Sequence, residues 1–162
     1  MRRMEIAVPA ILVAATLLAG CRTSEPVAEQ APPPPVVQDR KLSADGLFPF
    51  GKGDMADISA EGRAELDSFA AILLAGAPFD IVHIIGHSDR IGSAKANLAL
   101  STRRARSVRD YLVQQGVPAE RVSAVGRGSV EPIVECADMA REALIECLAP
   151  NRRVEIRVVP AR

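Results

Sequence analysis

Gly86-His87-Ser88-Asp89-Arg90-Ile91-Gly92-Ser93 follows an apolar run and leads into a segment holding Asn97, Leu100-Ser101 and Arg103-Arg104-Ala105. The run before it, Phe79 to Ile85, is rich in β-branched residues and is read as a buried strand. The segment after it carries Leu98, Ala105, Val108 and Leu112 at helical spacing, which predicts a helix from about Ser93 to Gln115, closed by Gly116 and Pro118. Asp89 therefore stands in a turn at the end of a strand, with Arg104 on the following helix. On an ideal helix Asn97 and Arg104 lie two turns apart on one face, just off the core stripe. A carboxylate and a guanidinium can hold the two ends of a zwitterion, the arginine gripping a carboxylate in bidentate fashion. Spacing alone does not bring the two together, because the helix runs back beside its strand. Asp89 as a turn former or helix cap, and Arg104 in a surface salt bridge, are the structural alternatives.

Outward from this stretch the pattern continues to alternate. Leu47-Phe48-Pro49-Phe50 is a short strand candidate, its proline implying an edge. Ser59 is placed to cap a helix with Leu66, Phe69, Ala70, Leu73 and Leu74 on one face, stopped by Gly76 and Pro78. Arg121 to Val125 is another strand, Ala137 to Ile145 a short helix. Arg153 to Val159, with Val154, Ile156 and Val158 alternating with charges, reads as a final half-exposed strand. The order β-α-β-α-β-(α)-β predicts an α/β two-layer sandwich, with its folded core from about Leu42 to Val159. Aromatic residues make up only 3% of the chain and Trp is absent, so the core must be aliphatic. The formal net charge is zero, which gives no basic surface for nucleic acid.

The N-terminus is read as an export signal. Arg2 and Arg3 precede a mostly apolar stretch from Ile6 to Leu18, broken by Pro9 and too short to span a bilayer comfortably. Leu18-Ala19-Gly20-Cys21 has the form of a lipobox, with cleavage before a Cys21 that then carries acyl chains such as palmitate. An ordinary secretory leader ending by chance in Cys is the alternative. Residues 1–20 are thus the expected signal peptide and 21–40 the lipidated cysteine and its linker. That linker contains Pro26 and Pro32-Pro33-Pro34-Pro35, a composition that stays extended and cannot build a core. Residues 41–162 form the domain. If Cys21 is lipidated, Cys136 and Cys147 remain as an even pair, expected to form a disulfide in an oxidising compartment. A redox or metal site is the rival, but CxxC spacing and nearby histidines are both missing. Neither cysteine is in the Asp89 stretch, so their replacement is expected to spare the site. His83 and His87, four residues apart on a strand, would be separated by roughly 13 Å, too far to share a metal.

Asp89-Arg90-Ile91-Gly92-Ser93, Asn97, Leu100-Ser101, Arg103-Arg104-Ala105, Val108 and Tyr111-Leu112 closely resemble the OmpA-like (OmpA/MotB C-terminal) domain family. Gly126, Gly128, Leu148-Ala149-Pro150 and Asn151-Arg152-Arg153-Val154-Glu155-Ile156 continue the resemblance. The resemblance implies a mixed sheet of about four strands with two long helices on one face. It also implies non-covalent binding of peptidoglycan through the meso-diaminopimelate of its stem peptide. On this reading Asp89 accepts from the ligand ammonium and Arg104 grips its carboxylate, with Ser88, Asn97 and Arg153 nearby. The leader and linker are similar in arrangement to the peptidoglycan-associated lipoproteins. Arg22 stands where an aspartate is associated with inner-membrane retention, so the expected location is the outer membrane, lipid-anchored, with the domain in the periplasm. Two roles fit: a tether of membrane to wall, or a scaffold for other envelope proteins. No cofactor or metal is implied and an enzyme is not expected. Two histidines cannot furnish a zinc amidase, and a single acid facing an arginine is not a glycosidase pair.

Overall fold

The computed structural model describes residues 39–161; the expected signal peptide, Cys21 and the linker up to residue 38 lie outside them. The described chain runs β1 (Arg40–Ser43), α1 (Ala44–Leu47), α2 (Ala60–Ala75), β2 (Phe79–Gly86), α3 (Ala94–Gln114), β3 (Val122–Gly126), α4 (Arg141–Cys147) and β4 (Arg153–Pro160), with short 3-10 turns between some of them. The four strands form one sheet in the order β1-β4-β2-β3. β2 and β3 are parallel, joined through α3, and β4 runs antiparallel to both β2 and β1. The sheet is therefore mixed, as expected.

One apolar cluster holds the layers together. Leu42, Val154, Ile156, Val82, Ile84 and Val122 come from the strands, Leu66, Phe69, Ala70 and Leu73 from α2, and Ala105, Val108, Tyr111 and Leu112 from α3. Strand side chains alternate, so both long helices cover the same face of the sheet. Each large aliphatic side chain buried this way contributes about 1.5–3 kcal/mol. The helices start where polar caps allow: the Ser59 and Ser93 hydroxyls accept from the backbone N–H groups of Gly62 and Ala96 at 2.9 and 3.2 Å.

Several expectations need correction. Leu47-Phe48-Pro49-Phe50 is not a strand. Ser43 caps α1, so Leu47 ends a helical turn, while the polar segment Arg40–Ser43, partly assigned to the linker, pairs with β4. The short helix is Arg141–Cys147 instead of Ala137–Ile145. β3 begins one residue later than expected, because Arg121 closes a 3-10 turn. β4 is an inner strand between β1 and β2, buried on both faces from Arg153 to Ile156, whereas Arg157 to Pro160 are partly or fully exposed, so only its second half is the half-exposed strand expected.

Leu98 and Leu74 are half exposed instead of in the core. For Leu98 the reason is close approach. A Cβ on Gly86 would collide with the carbonyl oxygen of Ser101, and one on Gly126 with Thr102. The first half of α3 thus rests directly on the ends of β2 and β3, with Asn97 and Ser101 inward and no room for a leucine. This contact fixes the height of Asn97 and Arg104 above the strand ends.

Candidate functional site

The loop after β2 is held from three sides. Ser88 N–H donates to Gly128 O, and Gly128 N–H to the Ser101 hydroxyl, both at 2.9 Å. Asn97 Nδ2 donates to the carbonyls of Asp89 (2.9 Å) and Ile91 (3.2 Å), so α3 carries the loop across its first turns. Ile91 N–H donates to Asp89 Oδ1 at 2.8 Å, the turn-forming bond expected of an aspartate there. Gly92, at φ +97°, lets the chain turn into α3.

Asp89 and Arg104 line one open cleft, together with Ser88, Asn97, Asp45, Arg141, Ile145 and Arg152 among others. Arg104 is 2% exposed. Its Nε donates to Lys52 O at 2.8 Å, and its guanidinium carbon lies 5.5 Å from the centre of the Phe48 ring. Burial lowers the pKa of Arg104, against the opposing pull of Asp45. No carboxylate of the described residues pairs with it. It is a buried cation with unused donors facing a cleft, which favours an anion arriving from outside.

Asp89 is partnered. Arg152 Nη1 donates to its Oδ2 at 2.8 Å, while Arg152 also grips Asp45 through Nε and Nη2 at 2.7–3.1 Å. The hydrogen bonds to Asp45, then that to Asp89, raise the Arg152 pKa. The cleft therefore offers a carboxylate with free lone pairs on one side and a guanidinium with free N–H groups on another. That arrangement suits an ammonium and a carboxylate on one ligand.

Arg153 lies elsewhere. It points to the opposite face of the sheet, where its Nε donates to Glu155 Oε1 at 2.8 Å and its Nη1 to Glu131 O at 3.2 Å. The sequence reading missed Arg152, Asp45 and Arg141. A signal for Arg152 was present: it shares strand parity with Val154 and Ile156, which face the helices, whereas Arg153 shares parity with Glu155 and Arg157. Asp45 and Arg141 come from α1 and α4, elements remote from the motif. Ser88 is buried at the cleft, and its hydroxyl has no hydrogen-bond partner among the described residues.

Cys136 and Cys147 form a disulfide, as the cysteine count suggested. It ties the start of the preceding loop to the end of α4. Arg90 Nη2 donates to Cys136 O at 3.0 Å, and Arg152 Nη1 to Ile145 O at 2.9 Å. The stapled segment is thus a wall of the cleft.

Residues 47–145 match the model of the OmpA family. Outer membrane protein A of Yersinia pseudotuberculosis is 46% identical over 138 residues, spanning 82% of this chain and 38% of that protein. The same protein of Shigella flexneri is 45% identical over the same length, with 39% of it covered. The chain therefore spans about two fifths of the length of these relatives. Among solved structures, the cell wall anchor of the type VI secretion system of Pseudomonas aeruginosa aligns with a TM-score of 0.61 at 31% identity, over 76% of this chain and 81% of that one. The peptidoglycan-associated lipoprotein of Burkholderia pseudomallei aligns with 0.56 at 25%, over 74% and 89%. The periplasmic domain of Helicobacter pylori MotB aligns with 0.62 at 23%, over 79% and 80%, a likeness of fold.

Proposed function

The chain belongs to the OmpA family, and from that premise we propose that it binds peptidoglycan non-covalently, by holding the free end of meso-diaminopimelate in the cleft between Asp89 and Arg104. The observation that carries this reading is the buried Arg104 guanidinium, without an acidic partner among the described residues, in the same cleft as the Asp89 carboxylate. The ligand ammonium goes to Asp89 and its carboxylate to Arg104. Each is a charge-assisted contact of about 1.5–3 kcal/mol. Ser88 and Asn97 shape the loop around the ligand, Asn97 from the backbone side. The two relatives named for a wall anchor and for peptidoglycan association support the same reading.

The protein on this view is a binding module and not an enzyme. Both acids of the cleft, Asp89 and Asp45, are engaged by the Arg152 guanidinium, an arrangement suited to holding a charged ligand. Cys21 would carry the lipid that fixes the protein in the outer membrane, with the domain in the periplasm reaching the wall across the Pro-rich linker. Many anchored copies facing a repeating lattice make weak single sites sufficient. The likeness to a secretion-system wall anchor supports a second reading, in which wall binding positions a scaffold for other envelope proteins.

Sedimentation with purified peptidoglycan tests the site. The wild-type chain should be retained on walls built with meso-diaminopimelate and poorly on walls built with lysine, which lacks the carboxylate that Arg104 would serve. Asp89→Ala and Arg104→Lys should both lose retention, the second because an ammonium lacks the planar fork. Equal retention on both wall types would reject the assignment.

A further inference from the structure

Three guanidinium groups, Arg104, Arg141 and Arg152, face two carboxylates, Asp45 and Asp89, across the cleft. Arg152 is held between both acids. Arg104 and Arg141 pair with no carboxylate among the described residues. The ligand end described above brings one ammonium and one carboxylate, which match Asp89 and Arg104 and leave Arg141 unmatched. Arg141 and Ile145 stand one turn apart on α4, so they present one charged and one apolar group on the same wall. The disulfide at Cys147 and the bond from Arg152 to Ile145 O fix that wall relative to Asp89. Arg141 is exposed, but it is mounted on a helix braced by the disulfide and lines the same cleft as the site proposed above.

We propose that Arg141 is a specificity residue that binds a second carboxylate of the peptide ligand. The proposal rests on the wall-binding reading of the same cleft and deepens it. In a wall peptide two groups supply that chemistry. One is the α-carboxylate left free where a glutamate is linked through its side chain, one residue before the diamino acid. The other is the main-chain carboxylate of the diamino acid when it ends the peptide. Either would complete the charge balance of the cleft.

The test is calorimetric titration of the full chain, in mild detergent, with three synthetic peptides. The first is L-Ala-γ-D-Glu-meso-diaminopimelyl-D-alaninamide, in which only the glutamyl α-carboxylate is free as the second carboxylate. The second is the same peptide with that group amidated. The third is the amidated peptide without its D-alaninamide, which frees the main-chain carboxylate of the diamino acid. Wild type should bind the first or the third about fivefold more tightly than the second. Arg141→Gln should erase that preference while retaining affinity for the second peptide. Which peptide shows the preference identifies the source. A preference unchanged in Arg141→Gln, or no preference in wild type, overturns the assignment of Arg141 and leaves the Asp89–Arg104 site standing. Failure of wild type to bind all three overturns the site and this assignment together.

Discussion

Arg152 Nη1 donates to Asp89 Oδ2 at 2.8 Å, so the carboxylate at the centre of the site is already committed on one oxygen before any ligand arrives. Its other oxygen accepts from Ile91 N–H. Each oxygen keeps a further lone pair, and the carboxylate is fixed in direction by both bonds. Asp89→Asn retains the shape and removes the charge. It should weaken binding of soluble wall peptides about tenfold or more and lower the melting temperature by only a few degrees, since Arg152 keeps Asp45. Unchanged affinity with a lowered melting temperature would mean that Asp89 serves Arg152 alone.

Gly86→Ala should damage both fold and site. The new methyl would meet the Ser101 carbonyl, which is backbone and cannot swing aside, so α3 must lift from the sheet. Overpacking of this kind costs about 1–3 kcal/mol. Asn97 and Arg104 ride on α3, so affinity should fall along with the urea midpoint. A variant with wild-type midpoint and affinity would show that the helix does not rest on this strand end.

The parts of this molecule legible in sequence are those set by local periodicity. The capping Ser59, the buried run from Phe79 and the long α3 follow from residue spacing within one element. The convergence of Asp89 and Arg104 did not follow from spacing, because it depends on how close α3 comes to the strand end. The glycines at 86 and 126 decide that distance, and their partners, Ser101 and Thr102, lie in the middle of α3, fifteen residues beyond the first glycine and twenty-four before the second. The same close packing displaced Leu98 from the core. Arg152 was hidden for a different reason. Two adjacent arginines point to opposite faces, and choosing between them requires the parity of β4 relative to the helix layer. Asp45 and Arg141 reach the cleft only through tertiary contacts of α1 and α4, and no local pattern marks them.

Loss of the disulfide should reach the site, contrary to the expectation from its distance in sequence. Cys136 and Cys147 close a loop of sequence separation 11, worth about 3 kcal/mol by chain entropy. The segment it braces supplies Arg141 and Ile145 to the cleft and accepts bonds from Arg90 and Arg152. Replacing both cysteines by serine should lower the melting temperature and weaken wall-peptide binding several-fold. Affinity at the wild-type level in a variant that has lost stability would show that α4 is a bystander.

Acid should destabilise the fold in two stages of the same sign. His87 is buried, and neither ring nitrogen has a hydrogen-bond partner among the described residues, with Glu155 and Glu131 carboxylates 3.9 and 4.0 Å away. Burial, then the Arg153 guanidinium, pushes its pKa below 6.5 and outweighs the pull of those two acids. The unfolded chain therefore binds a proton that the folded chain refuses, and stability declines as the pH falls through about 6.5. Glu155 adds the second stage. Burial opposes its ionisation, but the hydrogen bonds from Arg157 and Arg153 prevail and hold its pKa at about 2. With the folded value below the ordinary 4.5, its contribution is intact above 4.5 and is lost as the pH falls from there toward 2. Melting temperatures measured from pH 7.5 to pH 3 should fall throughout. His87→Gln should flatten the curve between pH 7 and 5 and leave the lower decline in place. A wild-type curve already flat between pH 7 and 5 would mean that the folded protein accommodates a charged His87 between its two glutamates.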